Sequence, residues 1–405
     1  MIKAMPTLSI VIPALDEAEG IREIAGRVLA QRAGLVEAGV SGLQLIVVDD
    51  GSSDGTAELA EAMEGVTVVR HPANRGYGAA IKSGFRVATG DLLAFLDADG
   101  TYPPEAFPEL CRTLLSTGAD VVVGSRMAGL ESGMPRIRRL GNRFFAALVS
   151  LIGAQAVSDS ASGQRVLLRA ALERLYPLPD GLNFTPVMTT RAVHERLHVV
   201  EVPIRYEERT GRSKLSVVHD GRRFLSTIVW TAMAYNPARI LGGIGLGLMA
   251  LGGALGLGLV LLRASGVTTL GPWGISAAFA MLVLAVGGVS LVNLGITFNY
   301  LVSLFHRRPV RQGLFGRPVL PGLDRAFGWL GLVAMGAGLA VALVAVRLGL
   351  AGWEVTRLWL WLLGGALMIL AGLQLTISWI LMRVLEELAD RPTRASADLN
   401  GPGDG

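Results

Sequence analysis

Two aspartates one residue apart, in Asp97-Ala98-Asp99, carry the strongest chemical signal in this chain. They follow the apolar run 92–96, so a buried strand would deliver both carboxylates to one edge of a sheet. Two carboxylates placed there can bind a hard divalent cation, whose open positions suit phosphate oxygens. The pair therefore predicts a metal-dependent site for a substrate that carries a diphosphate. The alternative is an acidic turn that closes the strand, because Asp and Gly are ordinary turn residues.

The surrounding sequence alternates between strand-like and helix-like segments over residues 8–126. Candidate strands are rich in β-branched residues and lie at Leu8–Ala14, Leu43–Asp49, Val66–Arg70, Leu92–Leu96 and Asp120–Gly124. Candidate helices lie between them, at Glu17–Glu37, Asp54–Glu64, Tyr77–Ala88 and Glu105–Thr117. This alternation predicts an α/β domain with a mostly parallel sheet that is covered on both faces.

Polar clusters follow several of the predicted strands. They are Pro13-Ala14-Leu15-Asp16-Glu17, the segment 49–55, and Gly124-Ser125-Arg126, in addition to the aspartate pair. Each cluster taken alone could be turn chemistry. Ligands of parallel sheets bind beyond the carboxyl ends of the strands, where all four clusters fall. Together they predict one binding site at that edge.

The second half of the chain is too apolar for a soluble domain. The whole sequence is 51% hydrophobic and only 17% charged, and segments 240–262, 273–305, 328–346 and 358–382 contain no Asp, Glu, Lys or Arg. Each approaches or exceeds the roughly 20 residues that span a bilayer. We therefore predict a first domain at 1–215, a juxtamembrane amphipathic helix at 216–237, four transmembrane helices within 238–385 and a disordered tail at 386–405.

The distribution of arginine predicts the orientation in the membrane. The loop between the second and third predicted spans contains Arg307, Arg308 and Arg311, whereas the loops around 263–272 and 347–357 carry few charges. Basic loops stay on the cytoplasmic side, and no secretory signal pattern opens the chain. We therefore expect an integral protein of a bacterial or archaeal cell membrane, with its first domain in the cytoplasm.

A basic and apolar segment follows the predicted sheet. Arg136, Arg139 and Arg143 recur at helical spacing on one face, and Leu140 and Phe144 recur on another. This pattern is typical of a helix that lies in the membrane interface, although an ordinary surface helix packed on the sheet is the alternative. The segment 219–235 shows a similar pattern and is either a second interfacial helix or a stiff connector.

The ordered motifs resemble family 2 glycosyltransferases of the GT-A fold, which is Rossmann-like, and most closely the dolichol- or polyprenol-phosphate hexose synthases. The motifs that carry the resemblance are Ile12-Pro13-Ala14-Leu15-Asp16-Glu17, Val47-Val48-Asp49-Asp50-Gly51-Ser52-Ser53-Asp54-Gly55-Thr56, Asn74-Arg75-Gly76-Tyr77-Gly78-Ala79-Ala80, Asp97-Ala98-Asp99-Gly100, Gly124-Ser125-Arg126, Ser162-Gly163-Gln164-Arg165 and Arg209-Thr210-Gly211-Arg212-Ser213-Lys214-Leu215. They occur in unbroken order over residues 8–230.

The resemblance implies roles for individual residues in donor binding. The residues that would contact the donor nucleotide are Pro13, Leu15, Glu17, Val48, Asp50 and Ala98. Asp97 and Asp99 would bind Mg²⁺ or Mn²⁺ on the diphosphate. Some relatives place Gln where Thr101 stands, and relatives commonly have Phe where Gln164 stands. The metal role of Thr101 therefore remains open between a weak ligand and a cap.

The expected acceptor is a lipid phosphate. A phosphate monoester has a second pKa near 6, so it is largely a dianion at neutral pH and needs cations but no base. Arg126, Arg139 and Arg143 are the candidates to orient it. The resemblance implies that Arg209 and Lys214 stabilise the leaving nucleoside diphosphate, whereas a basic loop near a membrane could instead contact lipid headgroups. The predicted reaction is an inverting transfer of hexose, from a GDP-mannose or UDP-glucose type of donor, to polyprenyl or dolichyl phosphate on the cytoplasmic leaflet.

Other functions stay open at this stage. One is a processive polysaccharide synthase, although its usual Gln-x-x-Arg-Trp signature does not occur here. Another is a lipid-sugar flippase or receptor. A soluble-acceptor enzyme could use Asp159, Glu195 or Glu201 as its base. The five histidines show no metal-ligand spacing, no nucleic-acid motif occurs, and homo-oligomerisation is left open.

Overall fold

The computed structural model describes residues 5–127, 134–153, 155–207, 217–305, 323–354 and 357–400. The chain divides into two compact units, Met1–Ala232 and Met233–Gly405. The first unit contains the α/β part of the chain, and the second contains the apolar helices. The boundary at Ala232 places most of the helix that was predicted at 216–237 in the first unit.

The first unit is built on a mixed sheet. Within the described residues its strands are β1 (Thr7–Ala14), β2 (Gly42–Asp49), β3 (Val66–Arg70), β4 (Leu92–Phe95), β5 (Val121–Ser125), β6 (Arg165–Leu168) and β7 (Val199–Pro203). Their order in the sheet is β3-β2-β1-β4-β6-β5-β7. Every pairing is parallel except those of β6, which runs antiparallel to β4 and β5. The predicted α/β fold with a mostly parallel sheet is confirmed.

Helices connect these strands and follow them. In the described part of the first unit they are α1 (Ile21–Ala30), α2 (Arg32–Glu37), α3 (Thr56–Glu61), α4 (Tyr77–Val87), α5 (Phe107–Thr117), α6 (Arg136–Gly153), α7 (Arg169–Leu175), α8 (Phe184–His194) and α9 (Val217–Tyr235). The one helix predicted at Glu17–Glu37 is divided between α1 and α2. The chain bends at Gln31, so that α2 packs on α5 and Leu35 is buried.

Apolar side chains fill both sides of the sheet because successive strand residues point to opposite faces. On one face Ile10 and Leu45 join the core beneath α1 and α5, and on the other Val11 and Ile46 join the core beneath α4 and α8. α4 approaches the sheet closely at Gly84, where a Cβ atom would lie 2.3 Å from Cγ1 of Val11. Burial on both faces explains why the strands are almost uniformly apolar in sequence.

β6 is a strand that the sequence analysis does not predict. It has only four residues and begins with Arg165, a charge that interrupts the apolar pattern although its side chain is buried. Because β6 runs against its neighbours, its first residue lies at the edge where the parallel strands end. The preceding residues Ser162, Gly163 and Gln164 therefore lie at the edge that carries the polar clusters.

The second unit consists of long apolar helices. Its described helices are α10 (Pro237–Ala264), α11 (Pro272–Phe305), α12 (Leu323–Leu350) and α13 (Trp359–Asn400). The segments long and apolar enough to cross a membrane are Pro237–Ala264, Pro272–Val302, Ala326–Leu350 and Trp359–Leu385. These four segments agree with the predicted spans, and the chain has the composition of an integral membrane protein.

Glycines permit close approach within two helix pairs. α10 packs on α11, and α12 packs on α13. A Cβ atom on Gly245 would lie 2.6 Å from the carbonyl oxygen of Gly288, and one on Gly331 would lie 2.7 Å from that of Gly372. In a bilayer, helices associate through this kind of close backbone packing because apolar side chains gain little by leaving lipid.

The end of the chain differs from the prediction of a disordered tail at 386–405. α13 continues to Asn400, beyond the apolar part of the helix. Leu, Glu, Ala and Arg make up most of this extension and favour helix, whereas Pro392 within it does not. An existing helix can be extended without a new nucleus. Residues 401–405 lie outside the described part of the chain.

Candidate active site

The two aspartates of the predicted metal site follow β4 at the carboxyl edge of the sheet. Oδ1 of Asp97 accepts a hydrogen bond of 2.6 Å from Oη of Tyr77. Oδ1 of Asp99 accepts bonds of 2.6 Å from Oγ1 of Thr101 and 3.2 Å from its backbone N–H. Thr101 is almost completely buried, and both of its hydrogen bonds fix the carboxylate of Asp99. This geometry favours the capping alternative for Thr101 over the role of a metal ligand.

Gly163 lies directly against Asp97. A Cβ atom on Gly163 would be 2.2 Å from Oδ2 of Asp97 and 2.6 Å from its carboxyl carbon. The backbone N–H of Gly163 donates to Oη of Tyr102 at 2.7 Å, which fixes the peptide in place. The carboxylate of Asp97 thus occupies the space that a side chain at position 163 would need.

Asp50, which was predicted to contact the donor nucleotide, lies directly after β2. Its carboxylate is buried and accepts from Nδ1 of His71 at 2.6 Å and from the backbone N–H groups of Arg75 and Gly76 at 2.9 and 2.8 Å. Here Asp50 organises the loop that precedes α4, so any contact with a nucleoside would add to these bonds. Asp49 accepts from the backbone N–H of Ser52 at 3.3 Å, as expected for a residue that tightens the turn.

The loops after β1 and β2 are tied together. Oδ1 of Asp16 accepts from the backbone N–H of Ser53 at 2.9 Å, and the backbone N–H of Glu17 donates to Oγ1 of Thr56 at 2.9 Å. Pro13 and Val48 are paired across the two strands. Both of these side chains are buried, so a nucleoside would meet the backbone there. Leu15 and Glu17 are partly exposed and can present side chains.

Arg126 follows β5 and forms a buried ion pair. Its Nε and Nη2 atoms donate to the two carboxylate oxygens of Asp159, each at 2.7 Å. The guanidinium also lies 5.6 Å from the ring centre of Tyr102 and 5.4 Å from that of Tyr206. Burial works to lower the pKa of Arg126, but the charge of Asp159 outweighs it and holds that pKa well above its usual value.

The ion pair gives Arg126 a fixed partner in addition to the acceptor contact predicted for it. Asp159 is fully buried, and burial acts to raise its pKa, yet Arg126 lowers that pKa below its usual value. Arg126 therefore already carries a bidentate carboxylate and its charge is offset before any phosphate binds. Its place is in the wall of the site, where it holds Asp159 and the two tyrosine rings together.

A cavity of about 700 Å³ extends from the aspartate pair. Its polar end contains Tyr77, Asp97 and Asp99. Its apolar end is formed by residues of α6 and α9, which are Ile137, Leu140, Phe144, Phe145 and Phe224. Several of these side chains are largely exposed, with Leu140 at 69% and Phe144 at 55%. The cavity therefore joins a site for charged oxygens to a surface for an apolar chain.

The arginine that lines the described cavity on α6 is Arg138. Arg139 and Arg143, which were predicted to contact the acceptor, are not among its described lining residues, and Arg143 is exposed. A helix presents only some of its residues to one side, so neighbours in sequence face in different directions. Arg209 and Lys214 lie outside the described residues. Ala98 is buried between the two aspartates.

The donor set of the aspartate pair suits a hard divalent cation. Both side chains offer carboxylate oxygen, which Mg²⁺ and Mn²⁺ prefer. In the described part of the chain no cluster of three or more His, Cys, Asp or Glu could enclose a metal by itself. Such a site fits a cation that completes its coordination with water and with the phosphates of a substrate, because Mg²⁺ keeps several waters and shares ligands with phosphate. The residues present therefore fit the predicted metal.

An α/β sheet with paired aspartates at the carboxyl end of its fourth strand is the arrangement of a GT-A glycosyltransferase. Residues 9–176 match the family described as glycosyl transferase family 2, and residues 237–396 match a domain of unknown function (DUF8752). The undecaprenyl-phosphate 4-deoxy-4-formamido-L-arabinose transferase of Pseudomonas fluorescens is 31% identical over 322 residues, covering 77% of this chain and 89% of the relative. The chain belongs to glycosyltransferase family 2.

Two further similarities are partial. The low-salt glycan biosynthesis hexosyltransferase Agl6 of Haloferax volcanii is 34% identical over 61% of this chain, and the match spans 58% of that relative's length. The glucosyl-3-phosphoglycerate synthase of Mycobacterium tuberculosis, solved with Mn²⁺, UDP and glucosyl-3-phosphoglycerate, has a TM-score of 0.47 and 26% identity. That match covers 57% of this chain and 81% of the synthase chain.

Several residues of the site are not found by sequence reasoning. Tyr77 and Gly163 contact Asp97, and His71 contacts Asp50, although His71 gives only a packing signal in sequence. Asp159 is identified in sequence only as a candidate base, whereas it forms the buried partner of Arg126. The motifs around Tyr77 and Gly163 mark the right segments, but their contacts depend on the fold.

Proposed function

We propose that this protein transfers a hexose from a nucleoside diphosphate sugar, of the GDP-mannose or UDP-glucose type, to a membrane polyprenyl phosphate. The observation that carries this proposal is the cavity that joins Asp97 and Asp99 to the apolar residues of α6 and α9. The donor diphosphate requires the carboxylate end, and a prenyl chain requires the apolar end. The Pseudomonas fluorescens relative is an undecaprenyl-phosphate 4-deoxy-4-formamido-L-arabinose transferase, and this similarity supports the same acceptor class.

The reaction would be a single displacement. A phosphate oxygen of the acceptor attacks the anomeric carbon as the bond from that carbon to the nucleoside diphosphate breaks, so the configuration is inverted. Mg²⁺ or Mn²⁺ held by Asp97 and Asp99 would supply positive charge for the diphosphate. Arg209 and Lys214 are proposed to stabilise the same leaving group, on the strength of their motif.

The acidic residues of the described lining fit an acceptor that needs no base. Among the described lining residues of the cavity, the acidic ones are Asp97 and Asp99, and both are assigned to the donor. A lipid phosphate arrives already ionised and has no proton to remove. Arg138 lines the cavity next to the apolar residues, so we assign it to the acceptor phosphate.

The carboxylates that could serve a soluble acceptor are engaged elsewhere. Asp159 binds Arg126, and Glu201 accepts from the backbone N–H groups of Ser158 and Asp159 at 2.8 and 3.0 Å. Glu195 is buried near Arg174 and does not line the described cavity. A hydroxyl acceptor would need a general base, and the described carboxylates considered for that role are engaged with other groups, so the geometry favours the phosphate acceptor.

We further propose that the first unit lies on the cytoplasmic face. The basic loop near Arg307 supports this orientation by the positive-inside rule. The exposed apolar side chains of α6, with Leu151 at 70%, and of α9, with Trp230 at 68%, suit insertion into the membrane interface. The acceptor phosphate would then meet the site at the level of the lipid headgroups.

Transfer to lipid is tested with membranes that contain the full chain. A panel of radiolabelled sugar nucleotides is offered together with undecaprenyl or dolichyl phosphate, and label is counted in the organic phase. We expect label to enter lipid with wild type and with the exposed control Glu64→Ala, and to be lost with Asp99→Ala. Label in polymer would instead indicate a processive synthase, and binding without turnover would indicate a flippase or receptor.

A further inference from the structure

The side chain of Tyr77 contacts Asp97 of the proposed metal site, and the proposed reaction assigns no role to this tyrosine. It is the first residue of α4, and its hydroxyl donates to Oδ1 of Asp97 at 2.6 Å, a short bond to a charged acceptor. Tyr77 also lines the cavity, so the bond lies at the polar end of the site. The contact joins the beginning of α4 to the segment after β4, twenty residues further along the chain.

The ring of Tyr77 is held by an aromatic cluster. It meets the ring of Phe184 edge-on at 6.3 Å, and Phe184 meets Phe95 at 5.8 Å. Phe95 is the last residue of β4, two residues before Asp97, and is itself packed against Phe85 of α4. Edge-to-face packing of this kind fixes the orientation of a ring. The hydroxyl is therefore aimed at Asp97 by packing that does not depend on the hydrogen bond.

Gly163 also packs directly against Asp97, and its missing side chain leaves room for the carboxylate. Asp97 thus contacts both a hydroxyl donor and a fixed peptide. A carboxylate has a broad, nearly two-fold terminal torsion and rotates readily unless it is held. We propose that Tyr77 is a positioning residue, whose hydroxyl fixes the orientation in which Asp97 presents its oxygens to the metal. This inference rests on the proposed metal-dependent function.

The hydroxyl of Tyr77 is suited to act as a permanent donor. A phenol is protonated at neutral pH, and an ionised carboxylate can only accept, so Tyr77 is the donor in this hydrogen bond. Loss of a group that orients a metal ligand in this way typically costs about 10- to 100-fold in metal affinity or activity.

Tyr77 also continues the loop held by Asp50. The backbone N–H groups of Arg75 and Gly76 donate to Asp50, and the next residue donates to Asp97. Consecutive residues therefore contact the carboxylate assigned to the nucleoside and the carboxylate assigned to the metal. Displacement of this segment would disturb both ends of the donor site.

The test measures Mn²⁺ binding to the purified full chain by electron paramagnetic resonance, with UDP and with GDP. Tyr77→Phe removes the hydroxyl and keeps the packed ring, and we expect it to weaken Mn²⁺ binding about 10- to 100-fold. Tyr176→Phe, a change at an exposed tyrosine that is not among the described lining residues of the cavity, is the matched control and should bind as wild type does. In an Asp97→Asn background, Tyr77→Phe should have no further effect.

The outcomes separate this role from the function itself. A Tyr77→Phe protein with normal Mn²⁺ affinity overturns the role of Tyr77, even if its transfer rate or thermal stability falls. A further loss of affinity in the Asp97→Asn background also overturns it, because the hydroxyl would then act on something else. A wild type that binds no Mn²⁺ with either nucleotide contradicts the metal-dependent function.

Discussion

Replacement of Gly163 by Ala tests whether the position of Asp97 controls the reaction. The added Cβ atom would lie 2.2 Å from Oδ2 of Asp97, whereas ordinary contact begins at 3.4 Å, so the carboxylate must retreat by at least 1.2 Å. The glycine itself has little freedom to move. Its N–H is bonded to Tyr102, and the neighbouring Ser162 and Gln164 are bonded to the carbonyl oxygens of Gly124 and Pro103.

A misplacement of about 1 Å in a reacting site can cost about 100-fold in rate, which corresponds to roughly 2.7 kcal/mol. We therefore expect Gly163→Ala to lower kcat for transfer of sugar to polyprenyl phosphate about 100-fold, with little change in folding. Initial rates at saturating donor and acceptor give kcat, and thermal unfolding reports the fold.

Gly26→Ala is the matched control for this substitution. Gly26 lies in α1, where a Cβ atom meets nothing within 4 Å. This change should leave kcat unaltered and stabilise the protein by about 0.5–1 kcal/mol, since Ala is the better helix former. A folded Gly163→Ala protein with the wild-type rate would refute the reasoning, because the carboxylate would then tolerate displacement.

Three further substitutions test the buried pair, the membrane helices and the acceptor surface. Asp159→Asn leaves Arg126 buried without its counter-charge and should lower the free energy of unfolding by about 3 kcal/mol at neutral pH. Because the pKa of Asp159 is lowered in the folded state, the ion pair stabilises wild type at neutral pH, and this stabilisation should be lost as the pH falls below about 4. The variant should show no such loss. Denaturant titrations at several pH values measure the free energy of unfolding of both proteins. Gly288→Leu overpacks α11 against α10 and should cost about 1–3 kcal/mol in detergent unfolding, whereas Gly287→Leu, which meets open space, should not. Phe144→Ser removes an exposed side chain of the cavity and should raise the KM for polyprenyl phosphate about 10-fold with the KM for donor unchanged, as steady-state rates will show.

Sequence reasoning succeeds where the signal is local. The first five strands, β1 to β5, were predicted to within one residue at each end because each is a short apolar run bounded by turn residues. The four membrane segments follow from hydropathy alone. β6 escapes this reasoning because a strand of four residues that starts with a buried arginine has no periodic signature.

The amino-acid sequence by itself determined the α/β alternation, the apolar helices, the aspartate pair and the family to which the motifs point. The tertiary structure alone decided what surrounds those aspartates. Arg126 meets Asp159 from 33 residues away, and Tyr77 meets Asp97 from 20. Contacts of this kind depend on which strands become neighbours and which way each side chain faces. Hydrophobic periodicity reports which residues are buried, whereas the partner of a buried charge is set only when the whole sheet is assembled.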